Sequence, residues 1–191
     1  MFREEGNISM DVGEKAIMST ERLALRLFRK SDANTVATLC NNYNIYKSTL
    51  YLPYPYHIND ALTWIETHYD NFVADKLYEF AITDKQTGEV FGAIALSNNK
   101  SCNHGELAYW IGEPYWGRGY ATEAAKAVLQ FAFKEVKLHK VFARYFSSNI
   151  ASGTVMEKIG MKHEGILKEH IIKEGKYEDL VYYGILEKEA N

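Results

Sequence analysis

One stretch constrains this chain more than any other. It reads Trp110-Ile111-Gly112-Glu113-Pro114-Tyr115-Trp116-Gly117-Arg118-Gly119-Tyr120-Ala121-Thr122-Glu123. An apolar strand runs into a tight glycine turn, and the turn runs into a long helical period over residues 121–136. Glycines let backbone approach a ligand closely and adopt conformations that other residues avoid. The first amides of a helix have no internal partners, and the helix dipole adds positive potential there. Together they make an anion site suited to a diphosphate. Two rival phosphate motifs fit poorly. Gly112 and Gly117 have the Walker spacing, but Arg118 and Gly119 replace the required Lys and Ser/Thr. Gly117 and Gly119 begin a dinucleotide fingerprint that Thr122 breaks.

The flanking periods define the fold class. Residues 22–28 alternate, with Leu23, Leu25 and Leu27 on one face and Ala24 and Arg26 on the other. Ser31 or Asp32 is expected to cap a first helix carrying Val36, Leu39 and Cys40. An aromatic loop over residues 43–56 contains Pro53 and Pro55, which favour extended backbone. Asn59 or Asp60 is expected to cap a second helix with Leu62, Ile65, Tyr69, Phe72 and Val73 at helical spacing. Strands follow at 78–83, 90–97 and 105–111, the first two joined by a turn in which Gly88 takes positive φ. After the long helix come a strand at 140–147 and a helix at 152–159 that Gly160 ends. A last hairpin covers 162–172 and 177–186. The expected architecture is a single α+β domain over residues 19–191. Its central sheet is mixed and mostly antiparallel, with helices on both faces and one parallel β-helix-β step. Residues 1–18 are polar and without period, and read as a flexible extension.

Composition narrows the partners. At 191 residues the chain is long enough to bury a sizeable core. A net charge of −3 lacks the basic footprint of nucleic-acid binding. Cys40 and Cys102 form no CxxC and no metal spacing, so neither a disulfide framework nor a metal is expected, and the chain reads as a protein of a reducing compartment. No apolar run approaches the ~20 residues needed to span a bilayer. No signal peptide is visible at the N-terminus. The expected location is the cytoplasm.

The segment Trp116-Gly117-Arg118-Gly119-Tyr120-Ala121 resembles motif A of the GCN5-related N-acetyltransferases, [QR]-x-x-G-x-[GA]. Trp116 stands where Gln or Arg is usual. That departure resembles the branch that acetylates N-terminal amines of ribosomal proteins (the RimJ/RimL type). The resemblance runs from about Thr20 to Glu187. It includes Thr20-Glu21-Arg22-Leu23, Glu106-Leu107-Ala108-Tyr109-Trp110-Ile111, Asn149-Ile150-Ala151-Ser152 and Glu157-Lys158-Ile159-Gly160-Met161. It implies the GNAT fold, acetyl-coenzyme A as co-substrate and a primary amine as acceptor.

The resemblance also implies residue roles. Backbone amides of Arg118, Gly119, Tyr120, Ala121 and Thr122 would hold the coenzyme A diphosphate, with Gly117 shaping the approach. The Arg118 side chain would add a phosphate contact or lie solvated at the surface. The backbone of Tyr109, Trp110 and Ile111 would pair with the pantetheine arm as an added strand. Asn149 would touch that arm, cap a helix, or do both. Many relatives place a tyrosine acid where this chain has Met156, which cannot donate a proton. Ser152, one turn earlier on the same face, would then steady the leaving thiolate. Only a neutral amine attacks a thioester, so a base is wanted. Glu106 is the first candidate; Glu169 and His170 are the second, with Ile171 at the register where ribosomal relatives carry a glutamate. Tyr51, Tyr54 and Tyr56, with His170, would wall the acceptor side, and the same rings would equally suit a lid or a homodimer contact. The acceptor is a protein N-terminal α-amine or a small amine such as a polyamine, an amino acid or an aminoglycoside. Loss of the tyrosine also admits a non-catalytic acyl-coenzyme A sensor.

Overall fold

The computed structural model describes residues 17–190. Of the expected extension, only Ile17 and Met18 fall inside that range. Met18–Ser19 forms β1 against β2 (Leu23–Leu27), and the Ile17 amide donates to the Leu25 carbonyl at 2.8 Å. These two residues therefore belong to the sheet; residues 1–16 lie outside the described residues.

After β2 come α1 (Ala33–Cys40), α2 (Tyr43–Ser48), α3 (Ile58–Glu66) and α4 (His68–Val73). Then follow β3 (Leu77–Asp84), β4 (Val90–Ser97), β5 (His104–Ile111), α5 (Tyr120–Lys134), β6 (Lys140–Phe146), α6 (Ile150–Lys158), β7 (Lys162–Lys173) and β8 (Lys176–Leu186). The strands make one eight-stranded sheet in the order β1-β2-β3-β4-β5-β6-β8-β7. Every neighbouring pair is antiparallel except β5 and β6, which are parallel. This is the mixed α+β domain expected from the sequence.

Helices cover both faces. On one, α5 buries Ala124, Ala125, Val128, Leu129, Ala132 and Phe133 against the alternate strand residues Leu23, Leu25, Phe80, Ile82 and Leu107. Each fully buried side chain of this size stabilises the fold by about 1.5–3 kcal/mol. On the other face α1 and α3 pack on Ala81, Val90 and Ala93. The hairpin of β7 and β8 turns on Glu174-Gly175, both at positive φ, with Lys173 paired to Lys176. A connection of this kind matches the strand twist.

Four local expectations are corrected. Asp32 does take the N-cap position of α1, but its carboxylate turns to the Arg26 guanidinium (2.7 and 2.9 Å) and the Arg29 amide. Arg26 is buried with it. The second helix begins earlier than expected: His57 is its N-cap, and Asp60 sits inside the first turn, accepting the His57 amide at 2.7 Å. That helix also breaks into α3 and α4, and its inward face is Ala61, Ile65 and His68; Leu62, Tyr69 and Val73 are exposed. Finally, the aromatic loop contains α2, capped by Asn42, whose side-chain oxygen accepts from the Asn44 and Ile45 amides.

Candidate active site

The sheet opens at its middle. β5 and β6 pair only at His104–Lys140, Gly105–Val141 and Glu106–Phe142. Beyond Glu106 the strands part, because β6 follows β8 while β5 stays on β4 as far as Ile111. A cavity of about 1670 Å³ passes through this opening and reaches both faces of the sheet.

On the α5 side the cavity meets the glycine turn. Gly117 and Gly119 lie at φ +74° and +80°, and Gly119 is the N-cap of α5. The first helical hydrogen bond runs from the Glu123 amide to the Gly119 carbonyl (3.0 Å), so the Tyr120, Ala121 and Thr122 amides precede the ladder. Gly117, Gly119, Tyr120, Ala121 and Thr122 all line the cavity. Two glycines and helix-start amides ahead of the ladder are what a diphosphate cradle requires, and they fit the diphosphate of coenzyme A. Arg118 does not line it. Its guanidinium lies over the Tyr115 ring at 5.9 Å, and its carbonyl accepts from Arg22 at 3.0 Å. Its side chain thus lies over Tyr115 beside the turn, the surface position also considered for it.

Trp116 answers why a tryptophan can replace Gln or Arg at the start of the motif. Its indole N–H donates to the Ile111 carbonyl at 2.6 Å and ties the turn to the end of β5. Glu123 fixes the other side. It accepts from the Thr20 hydroxyl (2.6 Å), the Arg22 amide (2.9 Å) and Arg22 Nε (2.7 Å). Burial pushes its carboxyl up, but the Thr20 and Arg22 hydrogen bonds outweigh that and hold it below the ordinary range. Two motifs separated by a hundred residues therefore meet at one carboxylate.

Along the cavity, Tyr109, Trp110 and Ile111 stand on the β5 segment that has lost its β6 neighbour. Asn149 caps α6 by accepting the Ser152 amide (3.3 Å), and its side-chain nitrogen donates to the Ser48 carbonyl (3.4 Å). The capping role of Asn149 is directly visible. Ser152 Oγ lies 3.0 Å from the Tyr109 hydroxyl, which also donates to the Ser152 carbonyl. Burial pushes the Tyr109 phenol up to about 12, against a lowering by Ser152 and a raising by Tyr145. A phenol thus stands beside Ser152 although position 156 has none. Sequence spacing could not reveal it, because Tyr109 arrives from a different element.

On the α1–α4 side, Glu106 occupies the last paired rung before the opening. Its carboxylate is held by Arg144 (Nε to Oε1, 2.7 Å), which also donates to the Tyr51 hydroxyl at 3.2 Å. Burial pulls the Arg144 guanidinium down, yet the Glu106 hydrogen bond and charge raise it further, and the net direction is up. Tyr51 and Tyr56 line the cavity; Tyr54 does not, and instead packs on Tyr46 and Tyr43. His170 and Glu169 are also outside the lining. They fall in an irregular, exposed part of β7, where Glu169 has φ +48° and its amide donates to Asp179. The β7–β8 tip reaches the site through Lys173 instead, which donates to the Thr49 carbonyl (2.9 Å) and lies 3.8 Å over the Tyr46 ring. Burial there pushes the Lys173 ammonium down from the ordinary lysine value.

A mixed sheet split beside a helix-terminus anion cradle defines a class. The chain belongs to the acetyltransferase (GNAT) family, whose domain model matches residues 22–162. It is an acetyl-coenzyme A-dependent N-acetyltransferase. It is 31% identical over 175 residues to the uncharacterized N-acetyltransferase YnaD of Bacillus subtilis (strain 168), covering 91% of this chain and 99% of that one. It is also 27% identical over 106 residues to the [ribosomal protein uS5]-alanine N-acetyltransferase of Escherichia coli (strain K12), covering 54% of this chain and 55% of that one. The fold superposes with a TM-score of 0.82, at 19% identity, on the microcin C7 self-immunity acetyltransferase MccE in complex with acetyl-CoA and AMP, covering 92% of this chain and 98% of that one.

Proposed function

We propose that the chain transfers the acetyl group of acetyl-coenzyme A to the α-amine of a protein N-terminus. The observation that carries this is the two-sided cavity: an anion cradle on the α5 face opens, through the parted strands, onto a tyrosine-walled trough on the other. The similarity to a ribosomal-protein alanine acetyltransferase supports a polypeptide acceptor.

In this reading the Gly119–Thr122 turn holds the diphosphate, and Gly117 keeps the approach open. The free edge of β5 at Tyr109, Trp110 and Ile111 pairs with the pantetheine amides, with Asn149 closing the other side. The amine lone pair attacks the thioester carbonyl, the C–S bond breaks, and the thiolate leaves toward Ser152. Ser152 and the Tyr109 phenol steady and protonate it. A thiol pKa of about 8.5 makes the thiolate a fair leaving group already. Glu106 takes the ammonium proton through a water. Because Arg144 competes for the same oxygens, Glu106→Gln is expected to lower kcat/KM by about a hundredfold, at the lower end of general-base effects.

Thiol release from acetyl-coenzyme A tests the reading. The acceptors are peptides starting with Ala or Ser, polyamines, free amino acids and aminoglycosides, each beside a no-acceptor control. Release with the peptides is expected. Release with a small amine alone moves the acceptor to that class. Silence across the panel, with cofactor bound, turns the chain into an acyl-coenzyme A sensor.

A further inference from the structure

Glu79 breaks the pattern of its strand. Its neighbours Tyr78, Phe80, Ala81 and Ile82 are buried apolar residues of β3, and Glu79 is itself buried, with 8% of its side chain exposed. It nevertheless lines the cavity. A carboxylate taken from water at such a position is costly unless it is paired. Such a departure from local preference is expected where a ligand is served.

The register shows what Glu79 overlooks. It pairs across the ladder with Ala95, and Ala95 pairs with Ala108. Side chains in one row share a face, so two methyl groups floor the space between Glu79 and the β5 edge. Glu106 and Arg144 bound that space on the far side. The Trp64 indole donates to Glu79 Oε1 at 2.8 Å and aims the carboxylate. His68, 1% exposed, stands behind with Nε2 at 3.3 Å from Oε2. Apart from that contact, the ring nitrogens of His68 make no hydrogen bond among the described residues, and Phe28 and Trp64 pack on its ring.

Charge balance separates the two carboxylates. Glu106 has a permanent cation, Arg144, at 2.7 Å. Among the described residues, no lysine or arginine lies in ion-pair distance of Glu79. Lys173, at the rim, is spent on the Thr49 carbonyl and the Tyr46 ring. Of these two carboxylates, Glu79 is therefore the one with no permanent cation beside it.

We infer that Glu79 is the residue that recognises the acceptor's ammonium group, with Trp64 as its positioning residue. The inference rests on reading the α1–α4 side of the cavity as the acceptor side. It specifies an acceptor that arrives as a cation and docks over Ala95 and Ala108.

The test is equilibrium binding to the coenzyme A-loaded full chain by calorimetry. The probes are Ala- and Ser-initiated peptides and propylamine, each beside its N-acetylated, uncharged twin. Wild type is expected to bind at least one free amine about tenfold or more tighter than its twin, the scale of one charge-assisted contact. Glu79→Gln should erase that preference while coenzyme A affinity and melting temperature hold. Trp64→Phe, which keeps the ring and removes the donor, should reduce the preference and serves if Glu79→Gln does not fold. A preference that survives in Glu79→Gln, or that vanishes only in Glu106→Gln, overturns the inference, as does a wild type with no preference for any probe. Thiol release is read separately: charge preference without thiol release leaves Glu79 standing and sinks transfer to an α-amine.

Discussion

At the scale of single residues, the proposed function separates groups that bind from groups that react. Gly119 belongs to the first kind. Its φ of +80° and its place at the head of α5 present free amides to an anion. A Cβ there would meet only Arg22 Nη2, at an ordinary 3.5 Å, so Gly119→Asp acts through its charge and through the backbone strain of a non-glycine residue at φ +80° rather than through overlap. A carboxylate a few ångströms from a diphosphate costs several kcal/mol at an effective dielectric near 20, and coenzyme A affinity should fall about a hundredfold or more. Titration calorimetry checks this; unchanged affinity would place the cradle elsewhere. Ser152 and Tyr109 belong to the second kind. Removing either hydroxyl, as Ser152→Ala or Tyr109→Phe, should lower kcat about tenfold and leave the KM for acetyl-coenzyme A nearly unchanged, because the charged sulfur exists only late in the reaction. Since burial holds Tyr109 up to about 12, it remains a proton donor throughout the neutral and mildly alkaline range. The pH–rate profile of wild type should therefore show no limb from this phenol below that value. Steady-state kinetics of the two variants across pH decide it, and an unaltered kcat in both removes the pair from the chemistry.

At the scale of elements, the start of α5 is held by a latch that the sequence shows only as two separate motifs. Glu123 receives three hydrogen bonds from Thr20 and Arg22, across the gap between β2 and the helix. Glu123→Gln should cost about 1.5–3 kcal/mol, the usual range for hydrogen bonds to a charged group. The pH dependence follows from the direction of the shift. The folded-state carboxyl lies below its unfolded value, so its stabilisation is fully present above the unfolded pKa and is lost as pH falls through the folded one. Urea melts should thus separate wild type from Glu123→Gln near neutrality and bring them together only as pH falls below the ordinary glutamate range; a constant gap would contradict the assignment. Elements with strong local periods were legible in advance: β2, β4, α5 and the β7–β8 hairpin all formed near their expected bounds. What escaped was decided by distant partners. The face of α3 and α4 turned because the sheet offered Glu79 to His68 and Trp64, and periodicity carries no information about a polar partner across a gap. The helix α2 is short and sits in a stretch whose prolines suggested extended chain; Asn42 starts it, and Lys173 and Asn149 reach its last turn and the residue after it. On the candidate site, the glycine turn and the helix start were readable because both are local. Tyr109 beside Ser152, and Arg144 on Glu106, depend on register across the sheet and were not.

At the scale of the whole molecule, the proposed function has two ligands approach one reaction centre from opposite faces, through the opening between β5 and β6. Neither needs to leave before the other binds, so transfer should be direct, within a ternary complex. A covalent relay would need a nucleophile in the cavity, and Cys40 is the thiol that lines it. Cys40 is buried, and burial pushes its thiol up to about 12. At neutral pH the thiolate, which is the reactive form, is then about one part in a hundred thousand. Cys102 is exposed and does not line the cavity. Initial rates measured against both substrates should therefore give intersecting double-reciprocal lines, and mass spectrometry of enzyme held with acetyl-coenzyme A alone should find no acetyl adduct. Cys40→Ala removes a fully buried sulfur beside Val36 and Ala61; it should cost about 1–2 kcal/mol of stability through the small void it leaves. It should leave kcat unchanged within about twofold, a difference under half a kcal/mol of barrier. Parallel lines, with activity lost in Cys40→Ala, would instead make the thiol a carrier and the two faces of the cavity successive rather than simultaneous sites.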